Sequence, residues 1–188
     1  FDRALTARGN DAAERAREGG RFLTRALVVL RKYDDLLSDP GQHGQLPLAV
    51  FERLKQWGCR GECFASPLNA TLDEFCSLHA EVDRWFGSSG SFFDFHPSSG
   101  NFEINPPFTI KSDAVERHVR NLLDDAQRRS APLSFIFFVP ETQNRFSNYK
   151  KLLQEFQVCS FRAEKNRHWY RRGAEFRTQL SPPWICPF

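Results

Sequence analysis

Apolar and polar positions alternate along the chain in a way that predicts strands interleaved with helices. Four segments carry apolar residues at the spacing of a helix with one buried face: 11–37, 47–57, 113–126 and 146–156. Shorter apolar runs of strand length lie between them, at 62–65, 91–95, 101–104 and 133–139. Strands that alternate with helices predict an α/β sandwich with a mostly parallel sheet.

Local signals set the expected boundaries of the first elements. Gly19-Gly20 interrupts the first helical pattern, so the part before it is expected to be a separate or frayed piece. The second helix is predicted to end at Gly58 and to bury one face, formed by Val50, Phe51, Leu54 and Trp57. Another short helix is predicted from residue 70 through Cys76.

The second half of the chain carries similar signals. Asp113 and Glu116 have the spacing of a capping box at the start of a helix. His118, in the same helix, is interpreted as a surface residue rather than a base. The run at 133–139 is apolar throughout, which predicts a strand buried on both faces. Residues 158–180 alternate and bend at Gly173, which predicts an antiparallel hairpin at the C-terminal edge of the sheet.

Length and composition favour one globular domain. The chain has 188 residues, 40% of them hydrophobic, and includes 19 Phe and 4 Trp. We expect residues 1–44 to form a helical extension and residues 45–188 a catalytic core. Because no run approaches the ~20 apolar residues of a membrane span, no membrane segment is expected. The N-terminus lacks the apolar region of a signal peptide, which favours an intracellular protein.

Five cysteines are irregularly spaced, at positions 59, 63, 76, 159 and 186. An odd number without a secretory signal favours reduced, buried thiols. Cys59 and Cys63 could begin a zinc site, but no second Cys/His pair stands at matching spacing. We therefore expect no metal.

Positive charge is concentrated toward the C-terminus. The net charge is +3, and the segment from Phe161 onward contains six basic and two acidic residues. Aromatic residues lie between them, a combination that suits a phosphate backbone with stackable bases. The candidate RNA-binding residues are Arg167, Arg171 and Arg172. A solvated strand face with its aromatic residues in the core is the alternative.

The sequence Asn105-Pro106-Pro107-Phe108 predicts a rigid arm at the end of a strand. Neither proline has a backbone donor, and proline holds the residue before it extended. The Asn105 side-chain oxygen and the Pro106 carbonyl could accept both hydrogens of an aromatic amine, while Phe108 stacks on the base. The alternative is a Pro-Pro turn in which Asn105 caps the strand and Phe108 enters the core.

Upstream of the arm, residues 62–65 are expected to lead through Ser66-Pro67 into a helix. A strand, turn and helix in this order commonly bind a nucleotide-like cofactor, although the Gly-x-Gly pattern is missing. Asp94 could bind ribose hydroxyls or cap a turn. An ordinary connecting turn explains the Ser66-Pro67 segment equally well.

Several blocks in the same order resemble one family. Asn105-Pro106-Pro107-Phe108 matches the motif of N6-adenine methyltransferases, and the blocks 62–69, 86–88, 99–108 and 132–141 make the match more specific. Together they resemble the phosphorylated CTD-interacting factor family, the cap-specific adenosine N6-methyltransferases. The similarity covers about residues 45 to 172.

The resemblance implies a Rossmann-like class I fold that uses S-adenosylmethionine to methylate adenosine N6 in RNA. The target would be the 2′-O-methylated adenosine beside the cap of mRNA. It further implies a nuclear location and a link to phosphorylated RNA polymerase II through other regions of such proteins. The implied catalytic residues are Asn105, Pro106, Pro107 and Phe108. The implied cofactor-binding residues are Phe64, Ala65, Ser66, Pro67, Asn69, Asp94 and Asn105.

Two alternative functions stay open at this point. A catalytically inactive RNA-binding module could keep the same fold without turnover. A DNA N6-adenine methyltransferase would use the same arm on a different nucleic acid. Donor binding separates the first alternative from an enzyme, and the choice of substrate separates the second.

Overall fold

The computed structural model describes residues 12–38, 44–107, 109–139, 143–161, 163, 169–170 and 184–185. Its helices are α1 (Ala12–Ser38), α2 (Leu48–Gln56), α3 (Ala80–Asp83), α4 (Ser112–Arg128) and α5 (Gln143–Phe156). Its strands are β1 (Cys59–Ala65), β2 (Glu74–Ser77), β3 (Gly100–Ile104), β4 (Leu133–Phe137), β5 (Trp169–Tyr170) and β6 (Trp184–Ile185). Short 3₁₀ helices span Arg84–Phe86 and Phe92–Asp94.

Four strands form one parallel sheet in the order β2-β1-β3-β4. Strand order therefore reverses at β1, which pairs with β2 on one side and with β3 on the other. This arrangement confirms the predicted α/β class and its parallel sheet. The short strands β5 and β6 pair antiparallel in a separate two-stranded sheet. The predicted antiparallel hairpin at the sheet edge is not confirmed, because most of residues 158–180, including Gly173, lie outside the described residues.

Two predicted elements have a different type in the structure. The helix expected through Cys76 is instead strand β2, so β1 runs through a turn directly into a second parallel strand. The strand expected at 91–95 is a 3₁₀ helix. Its first turn forms because the Ser91 hydroxyl accepts the Phe93 N–H at 3.2 Å. Asp94 consequently lies on a helical turn rather than at a strand end.

Helix boundaries also differ from the predictions. Helix α1 continues through Gly19-Gly20, since tertiary contacts outweigh the ~1 kcal/mol that each glycine costs. Gly58 directly follows the C-cap of α2 and has a positive φ of 74°, the left-handed conformation that commonly ends a helix, as predicted. Trp57, expected in the core, is 62% exposed because it lies beyond the last helical turn.

The predicted capping box is wrong. Helix α4 begins at Ser112, its N-cap is Lys111, and no side chain caps it. Asp113 lies within the first turn, where the positive end of the helix dipole stabilises its negative charge. It also forms an ion pair with Arg117 at 3.8 Å. The expected burial of β4 on both faces is also wrong, since Ser134 is exposed and its other residues are half-buried.

Helices cover both faces of the parallel sheet. One face packs against α4 and α5 through a core of Cys63, Cys76, Phe92, Phe102, Ile104, Val115, Val119, Leu122, Tyr149 and Leu152. The other face packs against α2 through Leu46, Phe51, Leu54, Cys59 and Leu72. The predicted stripe on α4 is confirmed by the burial of Val115, Val119, Leu122 and Ala126.

A buried hydrogen bond attaches the long helix α1 to the rest of the fold. The Tyr33 hydroxyl donates to Asp83 Oδ2 at 2.5 Å, and the His79 N–H donates to the same oxygen at 3.2 Å. Both side chains are almost fully buried. Burial raises the pKa of Tyr33, so its hydroxyl remains a donor. Val29 and Val82 add apolar contact around the bond.

Two carboxyl side chains lie side by side inside the sheet. Glu62 on β1 pairs in register with Glu103 on β3, and both are at most 5% exposed. Burial raises the pKa of Glu62, although the N–H groups of Leu72 and Thr71 oppose the shift. Burial and the neighbouring Glu62 hold the pKa of Glu103 well above its usual range. Glu103 therefore carries the proton of the pair.

We expect Glu103→Gln to flatten the pH dependence of stability. The folded protein keeps a proton on Glu103 that the unfolded chain releases near the ordinary value of 4.5. Stability therefore falls as pH rises above that value, by up to about 1.4 kcal/mol per pH unit, until the folded pKa is passed. The neutral glutamine removes this slope. Urea unfolding between about pH 5 and 8 measures it.

Glu52→Gln is the matched control, because Glu52 lies exposed on α2. Its stability should follow the same pH curve as the unmodified chain. Identical slopes for the Glu103 variant and the unmodified chain would show that Glu103 is ionised in the folded state.

Candidate active site

The carboxyl ends of β1 and β3 form the centre of the candidate site. The two strands are parallel neighbours with Glu62 opposite Glu103, so Ala65-Ser66 and Asn105-Pro106 leave the sheet at the same edge. Adjacent strands lie about 4.8 Å apart, which brings the two chain segments together. Strand order reverses at this point, and in open parallel sheets such a reversal opens a crevice that binds ligands.

On the β1 side, Ser66 and Asn69 build a closed turn. Asn69 Oδ1 accepts the Ser66 N–H at 2.7 Å and the Ser66 hydroxyl at 2.9 Å. The Ser66 Oγ in turn accepts the Leu68 N–H at 3.2 Å, and the Ser66 carbonyl accepts the N–H groups of Asn69 and Ala70. Both side chains are buried. They shape the turn, while the half-buried Pro67 lies at its surface.

Two buried polar side chains, Gln45 and Glu62, form hydrogen bonds with residues 69–72 of this turn. Glu62 Oε1 accepts the N–H groups of Thr71 at 2.5 Å and Leu72 at 2.8 Å. The Gln45 amide donates to the Asn69 carbonyl at 2.5 Å and to Thr71 Oγ1 at 2.9 Å. The C-terminal end of the turn, residues 69–72, is therefore anchored without any Gly-x-Gly sequence.

An aromatic cluster borders the end of β1. The half-buried Phe64 ring lies 4.9 Å from Phe92 and 6.4 Å from Phe93, measured between ring centroids. The register between β1 and β2 shifts between Glu62 and Ala65, a local irregularity of the kind that redirects side chains near sites. Asp94 follows Phe93 and is exposed. The structure thus brings Phe64 and Asp94 to the same region.

His118 belongs to this aromatic cluster rather than to the helix surface. Its ring lies 4.8 Å from Phe92 and 5.5 Å from His96, and its Nε2 is buried without a hydrogen-bond partner among the described residues. Burial lowers the pKa of His118, which favours the neutral ring. Its ring thereby extends the aromatic cluster formed by Phe92 and Phe93.

On the β3 side, the arm leaves the sheet as predicted. Asn105 is half-buried and Pro106 is buried. Asn105 Nδ2 donates to the Gly44 carbonyl at 3.4 Å. The Pro107 carbonyl accepts the Ile110 N–H at 3.1 Å, which closes a turn toward α4. Phe108 lies outside the described residues, so its predicted stacking role stays a prediction.

The Gly44 contact orients the Asn105 amide. Its nitrogen faces the Gly44 carbonyl, so its oxygen points away from that carbonyl. An amide oxygen turned toward the crevice can accept a hydrogen bond from an amine. The predicted base-holding role of Asn105 requires this oxygen to face the crevice.

Other predicted residues lie away from the crevice or outside the described part. Arg167, Arg171 and Arg172 lie outside it, as does Cys186. Cys59 and Cys63 pack in cores on opposite faces of the sheet, and burial raises the pKa of Cys59 to about 11. Neutral, separated thiols do not suit zinc. No cluster of three or more potential metal ligands occurs among the described residues.

The described helices give no candidate for a bilayer-spanning segment. Sequence reasoning did not identify Gly44, Gln45 or Thr71 as parts of the site. Their contacts join positions 24 and 61 residues apart, so no local spacing could have shown them. Glu62 was recognised only as part of a block, without a role.

These features define an α/β protein with a candidate ligand crevice at the switch point of a parallel sheet. A family model described as the phosphorylated CTD interacting factor 1 WW domain matches residues 4–173. The chain belongs to this family, which confirms the resemblance inferred from the sequence blocks.

Two curated relatives add detail. The human and mouse proteins named mRNA (2′-O-methyladenosine-N(6)-)-methyltransferase are each 37% identical to the chain over 174 residues. The matched region covers 82% of this chain and 23% of each relative. The chain therefore spans about a quarter of the length of these curated relatives.

We expect Asn69→Ala to destabilise the fold by about 1–3 kcal/mol, because it leaves the buried Ser66 N–H without its acceptor. Urea denaturation measures the loss. Asn121→Ala, at an exposed position of α4, is the control and should change stability by no more than about 0.5 kcal/mol. Equal effects of the two substitutions would contradict the structural role of Asn69.

Proposed function

We propose that the chain contains the core of an S-adenosylmethionine-dependent methyltransferase that modifies adenine N6 in RNA. The proposed target is the 2′-O-methyladenosine next to the mRNA cap, the substrate named for the human and mouse relatives. Residues 45–188 would form this core, with residues 1–44 as its helical extension. The observation that carries the proposal is the Asn105-Pro106 arm beside the β1 turn.

The arm suits the chemistry of an aromatic amine. Adenine N6 is a poor nucleophile because its lone pair is delocalised into the ring. Hydrogen bonds from both N6 hydrogens to Asn105 Oδ1 and the Pro106 carbonyl would pull the nitrogen toward tetrahedral geometry. This alignment leaves the lone pair directed at the methyl carbon, and positioning of this kind is a large part of catalysis.

No general base is required next to the arm. After transfer, the methylated nitrogen is acidic and can lose its extra proton to water. The groups that face the amine therefore need only accept hydrogen bonds, which an amide oxygen and a backbone carbonyl do at any physiological pH.

The cofactor-side residues fit a donor without phosphate groups. The β1 turn leads into strand β2 and not into a helix, so residues 66–73 offer no helix N-terminus for a pyrophosphate. Phe64, Phe93 and Asp94 instead offer aromatic surface and an exposed carboxylate. These residues would hold the adenine and the ribose hydroxyls of S-adenosylmethionine. When bound, the donor supplies an electrophilic methyl group on a positively charged sulfur.

The substrate adenine must be unpaired or flipped out to reach this crevice, because a paired adenine hides its amine. We propose that Arg167, Arg171 and Arg172 contact the RNA backbone. A link to phosphorylated RNA polymerase II through other regions of such proteins is likewise a proposal, supported by the phosphorylated CTD in the family's description.

Donor-dependent methylation of four substrates tests the proposed function. They are capped RNA that begins with 2′-O-methyladenosine, the same RNA with unmodified adenosine, uncapped RNA and single-stranded DNA. We expect the first to be methylated fastest, with the product identified by mass analysis of nucleosides. Preference for DNA would contradict the proposed substrate. RNA binding without donor binding would indicate a non-catalytic module.

We expect Asn105→Ala to lower kcat/KM by at least about a hundredfold, because it removes an acceptor from the reacting amine. The melting temperature should change little, since the Asn105 side chain is half-buried and its hydrogen bond to the Gly44 carbonyl is long, at 3.4 Å. Asn101→Ala, at the opposite end of β3, is the matched control and should stay active. Activity of the Asn105 variant within tenfold of the unmodified chain would exclude the assigned role.

We expect the double substitution Arg171→Ala, Arg172→Ala to weaken RNA binding and to reduce its salt dependence. Each lost phosphate contact with a single strand lowers the slope of log K against log salt by about 0.7. Arg128→Ala, Arg129→Ala is the control, because this consecutive pair already engages Asp125. If both double variants show the slope of the unmodified chain, Arg171 and Arg172 lie away from the RNA.

A further inference from the structure

Residues 44 and 45 contact both halves of the candidate site. The Gln45 side chain donates to the Asn69 carbonyl at 2.5 Å and to Thr71 Oγ1 at 2.9 Å, on the β1 side. The Gly44 carbonyl accepts Asn105 Nδ2 at 3.4 Å, on the β3 side. Consecutive Cα atoms are only about 3.8 Å apart, so one peptide unit joins the two sets of contacts.

Gln45 is held more tightly than an ordinary loop residue. It is 5% exposed, and Leu46 and Phe51 beside it are buried in the core under α2. A buried amide without acceptors would cost about 1–3 kcal/mol, and here two oxygens satisfy it. Its side chain therefore fixes the backbone position of residues 44 and 45 relative to the turn.

The Gly44 carbonyl favours the orientation of the Asn105 amide in which the nitrogen faces that carbonyl. If that carbonyl moved away, the Asn105 nitrogen would lose its acceptor and the amide could rotate its nitrogen toward the crevice. An amide nitrogen cannot accept a hydrogen bond from an amine. The orientation of Asn105 thus depends on a side chain that does not touch it.

We propose that Gln45 is a positioning residue that aligns the cofactor-side turn with the base-holding arm. This inference rests on the proposed methyltransferase function and extends it to a residue outside both segments. Glu62 anchors the same turn through the N–H groups of Thr71 and Leu72, which both lie on the β1 side. Gln45 acts on both sides through its own side chain and the adjoining carbonyl.

Gln45→Leu removes both donated hydrogen bonds and keeps a similar volume. We expect kcat at saturating donor and RNA to fall about ten- to a hundredfold, the range that a misplacement of about 1 Å produces. Measurements are made well below the melting temperature of the variant, so that only folded protein contributes. A purely structural role would lower the melting temperature and leave kcat of the folded protein unchanged.

A second readout does not depend on activity. In the cofactor-free protein, Gln45→Leu should shift the side-chain amide NMR signal of Asn105 and speed hydrogen exchange at the Ser66 N–H. Gln56→Leu is the control, because Gln56 lies exposed on α2, where its side-chain oxygen accepts a hydrogen bond from Arg53. It should change neither signal nor kcat.

Thr71→Val keeps the test decisive if the leucine variant does not fold. It removes one of the two Gln45 acceptors, keeps the side-chain shape and should lower kcat by a smaller factor of about three to ten. Unchanged kcat and an unchanged Asn105 signal in an active, folded Gln45 or Thr71 variant would overturn the inference alone. An unmodified chain that transfers no methyl group would overturn the proposed function together with it.

Discussion

The parallel pairing of β1 with β3 is the contact on which the rest of the site depends. It sets Glu62 opposite Glu103, and the Ser66 turn and the Asn105 arm therefore leave the sheet at the same edge. A slip of one residue would turn each side chain to the opposite face. Such a slip would be costly, since the buried Glu62 carboxylate would lose the N–H groups of Thr71 and Leu72.

Buried polar side chains hold the connection between β1 and β2 in place through hydrogen bonds to its backbone. Glu62 accepts hydrogen bonds from the N–H groups of Thr71 and Leu72, which lie just before β2. Asn69 closes the preceding turn by accepting the Ser66 N–H. In many nucleotide-binding sheets glycines and a helix start perform this task. Here side-chain oxygens do so, which explains how β1 can lead into a neighbouring parallel strand through residues 66–73 alone.

Sequence reasoning predicted the features that depend on local pattern. The apolar stripe of α4, the strands around Phe64 and Phe102 and the rigid exit at Pro106 all follow from spacing or from proline geometry. Strand β2 was mistaken for a helix because its short apolar run fits both periods, and pairing with β1 decides the outcome.

Other features could not have been predicted from local sequence. The helix through Gly19-Gly20 survives because Val29 and Tyr33 pack further along it. Gln45 belongs to no recognisable sequence motif, because its partners are distant in the chain and its burial depends on the completed sheet. Tertiary contacts thus decided the points at which the sequence was ambiguous.

We propose that methyl transfer to adenine N6 takes place in the crevice between the β1 turn and the Asn105 arm. The most direct measurement supplies donor with an isotopically labelled methyl group and locates the label in the RNA product by fragment mass spectrometry. We expect label on N6 of the adenine next to the cap and a loss of that label with Asn105→Ala. Label on ribose, on another base, or on N6 in equal amount with the variant would contradict it.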